Sequence, residues 1–424
     1  MKETPVKHLL DRSKPIHRQA QRSEWGDWRW QLRNQIQSLS ELLEVLPDAR
    51  SYVAARAPVD EWAGLEAELA ESFRFAITPY YLSLARPRSP EQAVVSTTAN
   101  SHPGIARDDS EKPVDPIESV DPILAQILPH PNELADAGYD RPDPLAEERN
   151  SPVRGLTHRY PDRVLWYLSH SCAVYCRYCL RKRKVSRAES APSRGDIEAI
   201  FKYIESHQEI KEVILSGGDP LSIADDRLNE ILERLRKIPH LSSLRIHSRM
   251  PVTLPMRITE ELCEVLRRHY PLTLVTHFNH AAELSPEAAA AVRRLRMAGV
   301  TVLNQAVLLK DVNDTARRQE DLILALLRAG VVPYYLHRCD EVRGVSHYRV
   351  PLERGVEILA ELRGRNPGIA LPRYVVDLPD GGGKIALEPE YLIDKQLNPE
   401  TGELVYRYWN YERDREYIVS DFVE

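Results

Sequence analysis

An α/β fold, a parallel sheet with helices packed outside it, is predicted by three features of this sequence. From Arg163 onward, short apolar runs alternate with longer amphipathic stretches. Each apolar run is of strand length and each following stretch repeats its apolar residues at helical spacing. At 424 residues the chain is long enough to bury one large core with an appendage. Repeated βα units of this kind bury a parallel sheet between helices. Whether the sheet closes on itself is not given by the pattern.

The elements follow in order. Predicted strands cover 163–169, 212–216, 243–247, 272–277, 301–308 and 332–337. Predicted helices follow them over 194–206, 224–237, 258–269, 286–298, 314–329 and 352–364. A further extended piece covers 373–378. Upstream, residues 1–22 are polar and basic and read as a loose arm. Residues 24–46 carry Trp25, Trp28, Trp30, Leu32, Ile36, Leu39, Leu42, Leu43 and Leu46 at helical spacing, which predicts a packing helix. Residues 59–85 read as a second helix, leading into Ile77-Thr78-Pro79-Tyr80-Tyr81-Leu82-Ser83-Leu84. Residues 86–126, rich in Pro, Ser, Asp and Ala, read as a linker, and 127–152 as an irregular connector. The tail over 387–424 is rich in charge and tyrosine, and is expected to pack on the barrel or on a neighbouring subunit.

Composition narrows the function. A net charge of −6 gives no reason to expect nucleic acid. No apolar run approaches the roughly 18 residues that span a bilayer. Met1-Lys2-Glu3-Thr4-Pro5 lacks the apolar core of a secretory signal. Five cysteines in so long a chain make no disulfide framework, so a reducing, cytoplasmic setting is expected.

Three of those cysteines, Cys172, Cys176 and Cys179, stand together as CxxxCxxC. Soft sulfur ligands favour zinc or an iron–sulfur cluster. Structural zinc wants four ligands, normally from paired CxxC units, and here Cys263 and Cys339 are single and distant. Three thiolates without a fourth suit a four-iron cluster with one iron open to a ligand. Buried apolar cysteines are the bland alternative, but the flanks Arg177, Tyr178 and Arg181-Lys182-Arg183-Lys184 are polar, basic and aromatic.

Three other stretches could carry chemistry. Leu215-Ser216-Gly217-Gly218-Asp219-Pro220 is either a tight turn after a strand or a place where backbone approaches a ligand closely. Asp380-Gly381-Gly382-Gly383-Lys384 is no Walker loop. Its lysine is either a solvated loop tip or an amine held to form a Schiff base with pyridoxal phosphate. The arginines of Gly155-Leu156-Thr157-His158-Arg159-Tyr160-Pro161-Asp162-Arg163 are either solvated or partners for an anion.

The cysteine spacing resembles the signature of the radical S-adenosylmethionine enzymes. The phrases Glu24-Trp25-Gly26-Asp27-Trp28-Arg29-Trp30-Gln31, Ile77-Thr78-Pro79-Tyr80-Tyr81-Leu82 and Tyr374-Val375-Val376-Asp377-Leu378-Pro379 narrow the likeness to the lysine 2,3-aminomutase family, from Glu24 to about Tyr391. The resemblance implies a partial (β/α)6 TIM-like barrel of the radical S-adenosylmethionine type, with an N-terminal helical extension and a C-terminal tail. It divides the chain into an N-terminal helical and linker region over 1–150 that helps oligomerisation, the barrel over 151–385, and the tail over 386–424. Active residues are then expected at the carboxyl ends of the strands. The cysteines follow the first strand, in agreement.

Residue by residue, the resemblance implies that Cys172, Cys176 and Cys179 hold a 4Fe-4S cluster. Ser216, Gly217, Gly218 and Asp219 would receive the methionine end of S-adenosylmethionine. Lys384 would be the catalytic Schiff-base lysine, with Arg159 and Arg163 on the phosphate of pyridoxal 5'-phosphate and Tyr160 beside it. Arg181 would bind the substrate carboxylate. Asp340 and Asp377 would bind the far ammonium, since two carboxylates in one pocket repel unless a cation joins them. Two departures stand out. Asp380 replaces a glycine common in the family. Thr315 follows Val312-Asn313-Asp314 and no cysteine occurs after Cys339, so the family's structural zinc is not expected. His277 and His280 have no partners at metal spacing and are assigned with Arg245, His247, Arg249, Asn304 and Gln305 to the barrel mouth.

The activity so implied is isomerisation of L-lysine to L-β-lysine by radical 2,3-migration of the amino group. It calls for an external electron donor of flavodoxin or ferredoxin type and a homo-oligomer, with no nucleic acid and no membrane. The alternatives are a 2,3-aminomutase for arginine or another amino acid, and supply of β-lysine for elongation factor P. A non-catalytic iron–sulfur or zinc-binding interaction protein is a third, but it would need none of Lys384, Arg181 and the aspartate pair.

Overall fold

The computed structural model describes residues 22–54, 56, 62–86, 120–135, 137–185 and 192–421. The arm expected before residue 22 and most of the linker expected over 86–126 lie outside them.

Nine strands form one sheet in sequence order. They are β1 (Leu156–Tyr160), β2 (Arg163–Ser169), β3 (Glu212–Gly217), β4 (Ser243–His247), β5 (Leu272–Thr276), β6 (Val300–Leu308), β7 (Val332–Arg338), β8 (Arg373–Leu378) and β9 (Gly383–Ala386). β2 to β8 are all parallel, while β1 and β9 each fold back antiparallel on the end strands. Six helices follow the parallel strands: α1 (Arg194–Ser206), α2 (Asp225–Arg236), α3 (Glu260–Arg268), α4 (Pro286–Met297), α5 (Ala316–Ala329) and α6 (Leu352–Leu362). This is a partial barrel of six βα units followed by a seventh parallel strand, β8, with a hairpin strand added at each edge.

Local chemistry explains the boundaries. Ser193 caps α1 in a reciprocal box with Asp196. Ser285 caps α4 ahead of Pro286 in the first turn. α5 stops at Gly330, which takes the left-handed conformation that ends helices. Thr315, which follows Val312-Asn313-Asp314, caps the start of α5. Behind the sheet, Trp166 of β2 is fully buried edge-on against Phe201 of α1, with ring centroids 5.1 Å apart.

Four sequence expectations are corrected. The helix expected over 24–46 is broken into Trp28–Arg33 and Leu39–Val45. Between them Ile36 pairs with Ile77 and Ser38 caps the second helix, so the chain turns to reach the core. The helix expected within 59–85 ends at Ser72, and a new turn starts at Pro79. The end of the expected linker is a helix, Pro122–Ile127, capped by Asp121. The arginine-bearing stretch ahead of the first strand is itself a strand, β1, and the glycine segment holding Lys384 enters β9.

The N-terminal elements share one hydrophobic core with the barrel, running from Ile36 to Tyr374. The tail forms a separate antiparallel sheet of β10 (Leu392–Leu397), β11 (Leu404–Trp409) and β12 (Glu416–Asp421). Among the described residues no helix is long and apolar enough to cross a membrane.

Candidate active site

The carboxyl ends of the parallel strands surround a cavity of about 540 Å³. That is within the usual range for small-ligand sites. The cavity is lined by Cys172, Cys176, Cys179, Arg181, Ser216, Gly217, Gly218, Asp219, Arg159, Tyr160, Arg163, Asp340, Asp377 and Lys384. Residues more than 200 positions apart in sequence thus share one wall.

The cysteine loop leaves β2 and is clamped by its neighbours. Tyr175 N–H donates to the Ala76 carbonyl, and Arg177 N–H to that of Gln126. The Arg177 side chain is fully buried and pairs with Glu133 at 2.6 Å. Burial pushes the Cys179 thiol up to about 11 and the Cys172 thiol well above its ordinary value. Arg249 donates to Cys176 Sγ and, through its other nitrogen, to Glu283 at 2.6 Å. Among the described residues no three His, Cys, Asp or Glu side chains converge on a single metal ion. A four-iron cluster does not require that, because each thiolate takes a different iron. Three thiols on one cavity wall, with a guanidinium to offset thiolate charge, fit such a cluster.

The turn after β3 packs directly on this loop. A Cβ on Gly217 would lie 2.5 Å from the Ser169 carbonyl oxygen, and one on Gly218 2.6 Å from that of Ser171. Gly217 also has φ of +121°, a left-handed region that favours glycine. The paired glycines therefore permit close approach of two backbones, one of them carrying the cysteines. Asp219 is turned inward: its carboxylate accepts from Ser248 Oγ at 2.8 Å and from Arg249 N–H at 2.7 Å. Burial raises its pKa to about 6, against the pull of those donors.

On the facing side, β8 and β9 present Asp377 and Lys384 as direct cross-strand partners. The Lys384 ammonium contacts the Asp377 carboxylate and lies 3.2 Å from His337 Nδ1. Arg159 of β1 reaches the other Asp377 oxygen at 2.9 Å. Burial opposes ionisation of Asp377, but the His337 hydrogen bond and the Lys384 charge hold its carboxyl well below the usual range. Asp340, by contrast, forms no ion pair with any of the described residues, although the Lys384 and Arg181 charges act on it from farther off. Burial first, and then the Asp377 charge, raise it to about 7.

Tyr160 joins the two free edges of the barrel. Its hydroxyl accepts from the Lys384 backbone N–H at 2.8 Å and from Arg159 at 3.2 Å. The guanidinium carbons of Arg159 and Arg163 lie over its ring, 4.9 Å and 4.2 Å from the centroid. Residues of the same cavity carry buried polar atoms that have no hydrogen-bond partner among the described residues: His337 Nε2, His247 Nε2 and Arg245 Nε. An amine, three cationic groups or hydroxyls and orphaned donors fit a phosphorylated aromatic aldehyde such as pyridoxal phosphate.

Arg181 lines the same cavity, paired with Glu147 at 2.8 Å and bonded to Ser216 Oγ at 3.1 Å. Sequence reasoning did not single out Glu147, Glu283 or His337. Only the phrases around them carried a signal, since a lone acid or histidine has no spacing to betray it.

Comparisons with known proteins bear on this site. A family model described as "Radical SAM superfamily" matches residues 166–322, and one described as "Lysine-2,3-aminomutase" matches 359–408. The chain is 38% identical over 387 residues to an L-lysine 2,3-aminomutase of Clostridium subterminale, covering 91% of this chain and 84% of that one. It is 39% identical over 375 residues to the L-lysine 2,3-aminomutase of Acetoanaerobium sticklandii, covering 88% and 81%. It is also 35% identical over 375 residues to a glutamate 2,3-aminomutase of Clostridioides difficile, covering 88% and 79%.

Proposed function

The chain belongs to the lysine 2,3-aminomutase family of radical S-adenosylmethionine enzymes, and from that membership we propose that it interconverts L-lysine and L-β-lysine. The family's cofactors are a 4Fe-4S cluster, S-adenosylmethionine and pyridoxal 5'-phosphate. When bound, they supply the radical that removes a substrate hydrogen and the carrier for the migrating nitrogen.

The residues divide that work. Cys172, Cys176 and Cys179 would hold the cluster, and Arg249 would offset the charge on Cys176. Ser216, Gly217 and Gly218 would meet S-adenosylmethionine, with Asp219 holding the turn in place from behind. Lys384 would carry the pyridoxal group, and Arg159, Arg163 and Tyr160 would hold its phosphate. Arg181 would bind the substrate carboxylate and orient the amino acid.

One observation carries the choice of substrate: Asp340 and Asp377 line the same cavity, and among the described residues Asp340 has no ion-pair partner. An unpaired buried carboxylate favours a ligand that brings a positive charge. The far ammonium of lysine brings one; a glutamate side chain would add a third negative charge. Arginine or ornithine is the second reading, supported by that same charge. A reductant of flavodoxin or ferredoxin type, a homo-oligomeric assembly and a cytoplasmic setting complete the proposal, the last supported by five free cysteines.

The test is an anaerobic product assay on reconstituted protein with S-adenosylmethionine, reductant and pyridoxal phosphate. Lysine, arginine, ornithine, glutamate and alanine are offered separately. β-Lysine as the dominant product supports the proposal. Turnover of glutamate or alanine alone overturns the reading of the aspartate pair.

A further inference from the structure

The basic run behind the cysteines is neutralised by a shared set of carboxylates, in which Glu147 Oε2 also lies 3.9 Å from Lys184 and 4.0 Å from Arg183. Lys182 is taken by Glu133 at 3.0 Å, and Arg183 by Asp143 and Glu148, each at 2.7 Å. Arg181 is taken by Glu147, whose side chain is 8% exposed and lines the cavity. Glu147 is itself fixed, because its backbone N–H donates to the Asp143 carboxylate at 3.0 Å. Burial opposes ionisation of Glu147, but the charge and hydrogen bonds of Arg181, with the charges of Lys184 and Arg183, together hold the carboxyl below its ordinary value.

The contacts set the plane of the guanidinium. Nε and Nη2 of Arg181 both donate to Glu147 Oε1, at 3.0 and 2.8 Å, and Nη1 donates to Ser216 Oγ at 3.1 Å. One proton on each terminal nitrogen is left for a further acceptor. An arginine on its own loses substantial rotamer freedom when it must hold a ligand. Here that freedom is removed before the ligand arrives, so less affinity is lost to ordering. Ser216 also ties the arginine to the turn beside the cysteine loop.

We infer that Glu147 is the positioning residue that presents Arg181 to the carboxylate of the amino-acid substrate. The inference rests on the reading of Arg181 as the carboxylate-binding group. It extends that reading to a residue on the connector ahead of the barrel, which would set carboxylate recognition without touching the substrate.

The experiment is a binding titration that needs no radical chemistry. Protein loaded with pyridoxal phosphate is titrated with L-lysine and with L-lysinamide, which lacks the carboxylate, and the absorbance of the bound cofactor is followed. Glu147→Gln should raise the Kd for lysine about tenfold, the scale of one charge-assisted contact, and leave that for lysinamide unchanged. Glu147→Asp should recover most of the loss. In turnover, KM for lysine should rise more than kcat falls. Equal weakening of lysine and lysinamide by Glu147→Gln would mean a merely structural role and overturn the inference. So would an unchanged lysine Kd in both Glu147 variants beside a raised one in Arg181→Lys. If Arg181→Lys leaves lysine and lysinamide unchanged, the reading of Arg181 itself falls, and the inference with it. Melting curves of the Glu147 variants check that each is folded.

Discussion

Lys384 and Asp377 stand directly opposite one another on β9 and β8, and the lysine ammonium rests against the aspartate carboxylate. Their separation of seven positions is a hairpin register. On such a pair the two side chains share one face of the sheet. The amine proposed to carry the cofactor thus holds one of the carboxylates proposed to meet the substrate. Lys384→Ala should abolish trapping of pyridoxal phosphate by borohydride, read by mass spectrometry, while reconstituted iron stays at the wild-type level. Trapping that persists in this variant would remove Lys384 from its role.

Asp340 should make affinity for a cationic ligand depend on pH. Its carboxyl is raised to about 7 by burial and by the Asp377 charge. A raised carboxyl pKa stabilises the fold at low pH, and this contribution is lost as pH rises through about 7. A ligand ammonium makes the opposite demand, because it favours the ionised form. Binding below about pH 7 must therefore expel a proton. The Kd for L-lysine should fall several-fold between about pH 6 and about pH 7.5, and Asp340→Asn should flatten that slope. A slope retained in Asp340→Asn would assign the titration to another group.

The Gly217-Gly218 turn should control cluster loading. A methyl group on Gly218 would displace the Ser171 carbonyl, just ahead of Cys172. Packing strain of that kind costs roughly 1–3 kcal/mol and moves backbone. Gly218→Ala should lower the iron bound per chain after reconstitution and weaken S-adenosylmethionine binding, with the melting temperature only modestly reduced. Full iron loading in this variant would show that the loop relaxes freely.

Arg249 should matter to the fold before it matters to the cluster. It is the cation beside Glu283, whose side chain is fully buried. Glu283 also accepts from the Tyr81 hydroxyl at 2.5 Å, so the pair joins the barrel to the N-terminal elements. Arg249→Met leaves that carboxylate without its cation and should destabilise the apoprotein by roughly 3–5 kcal/mol in a denaturant titration. Arg249→Met combined with Glu283→Gln should recover part of this, the coupling expected of a buried pair. Additive losses would mean that the ion pair contributes little.

The barrel was legible because its signals are local. Each strand of β2 to β8 is a short apolar run with a clear boundary, and the helices carry both an apolar stripe and caps such as Ser193 and Ser285. β1 and β9 were missed for the opposite reason. They are short, polar strands at the two edges of the sheet, each paired to one neighbouring strand, so Arg159, Tyr160 and Lys384 read as loop residues. The break at Ile36 was missed because helical spacing continues through it, and its cause is a bridge to the distant Ile77.

By itself, the sequence determined the repeating βα pattern, the three clustered thiols and the residues whose phrases resemble one family, because all of these depend on neighbours along the chain. The tertiary structure decided which charges meet. It gave Arg181 its Glu147, Arg249 its Glu283 and Asp377 its Lys384, His337 and Arg159, and among the described residues it left Asp340 without an ion-pair partner. Those pairings join residues from 7 to more than 200 positions apart. The energy of a charge depends on distance and burial in space, and neither can be read along a chain.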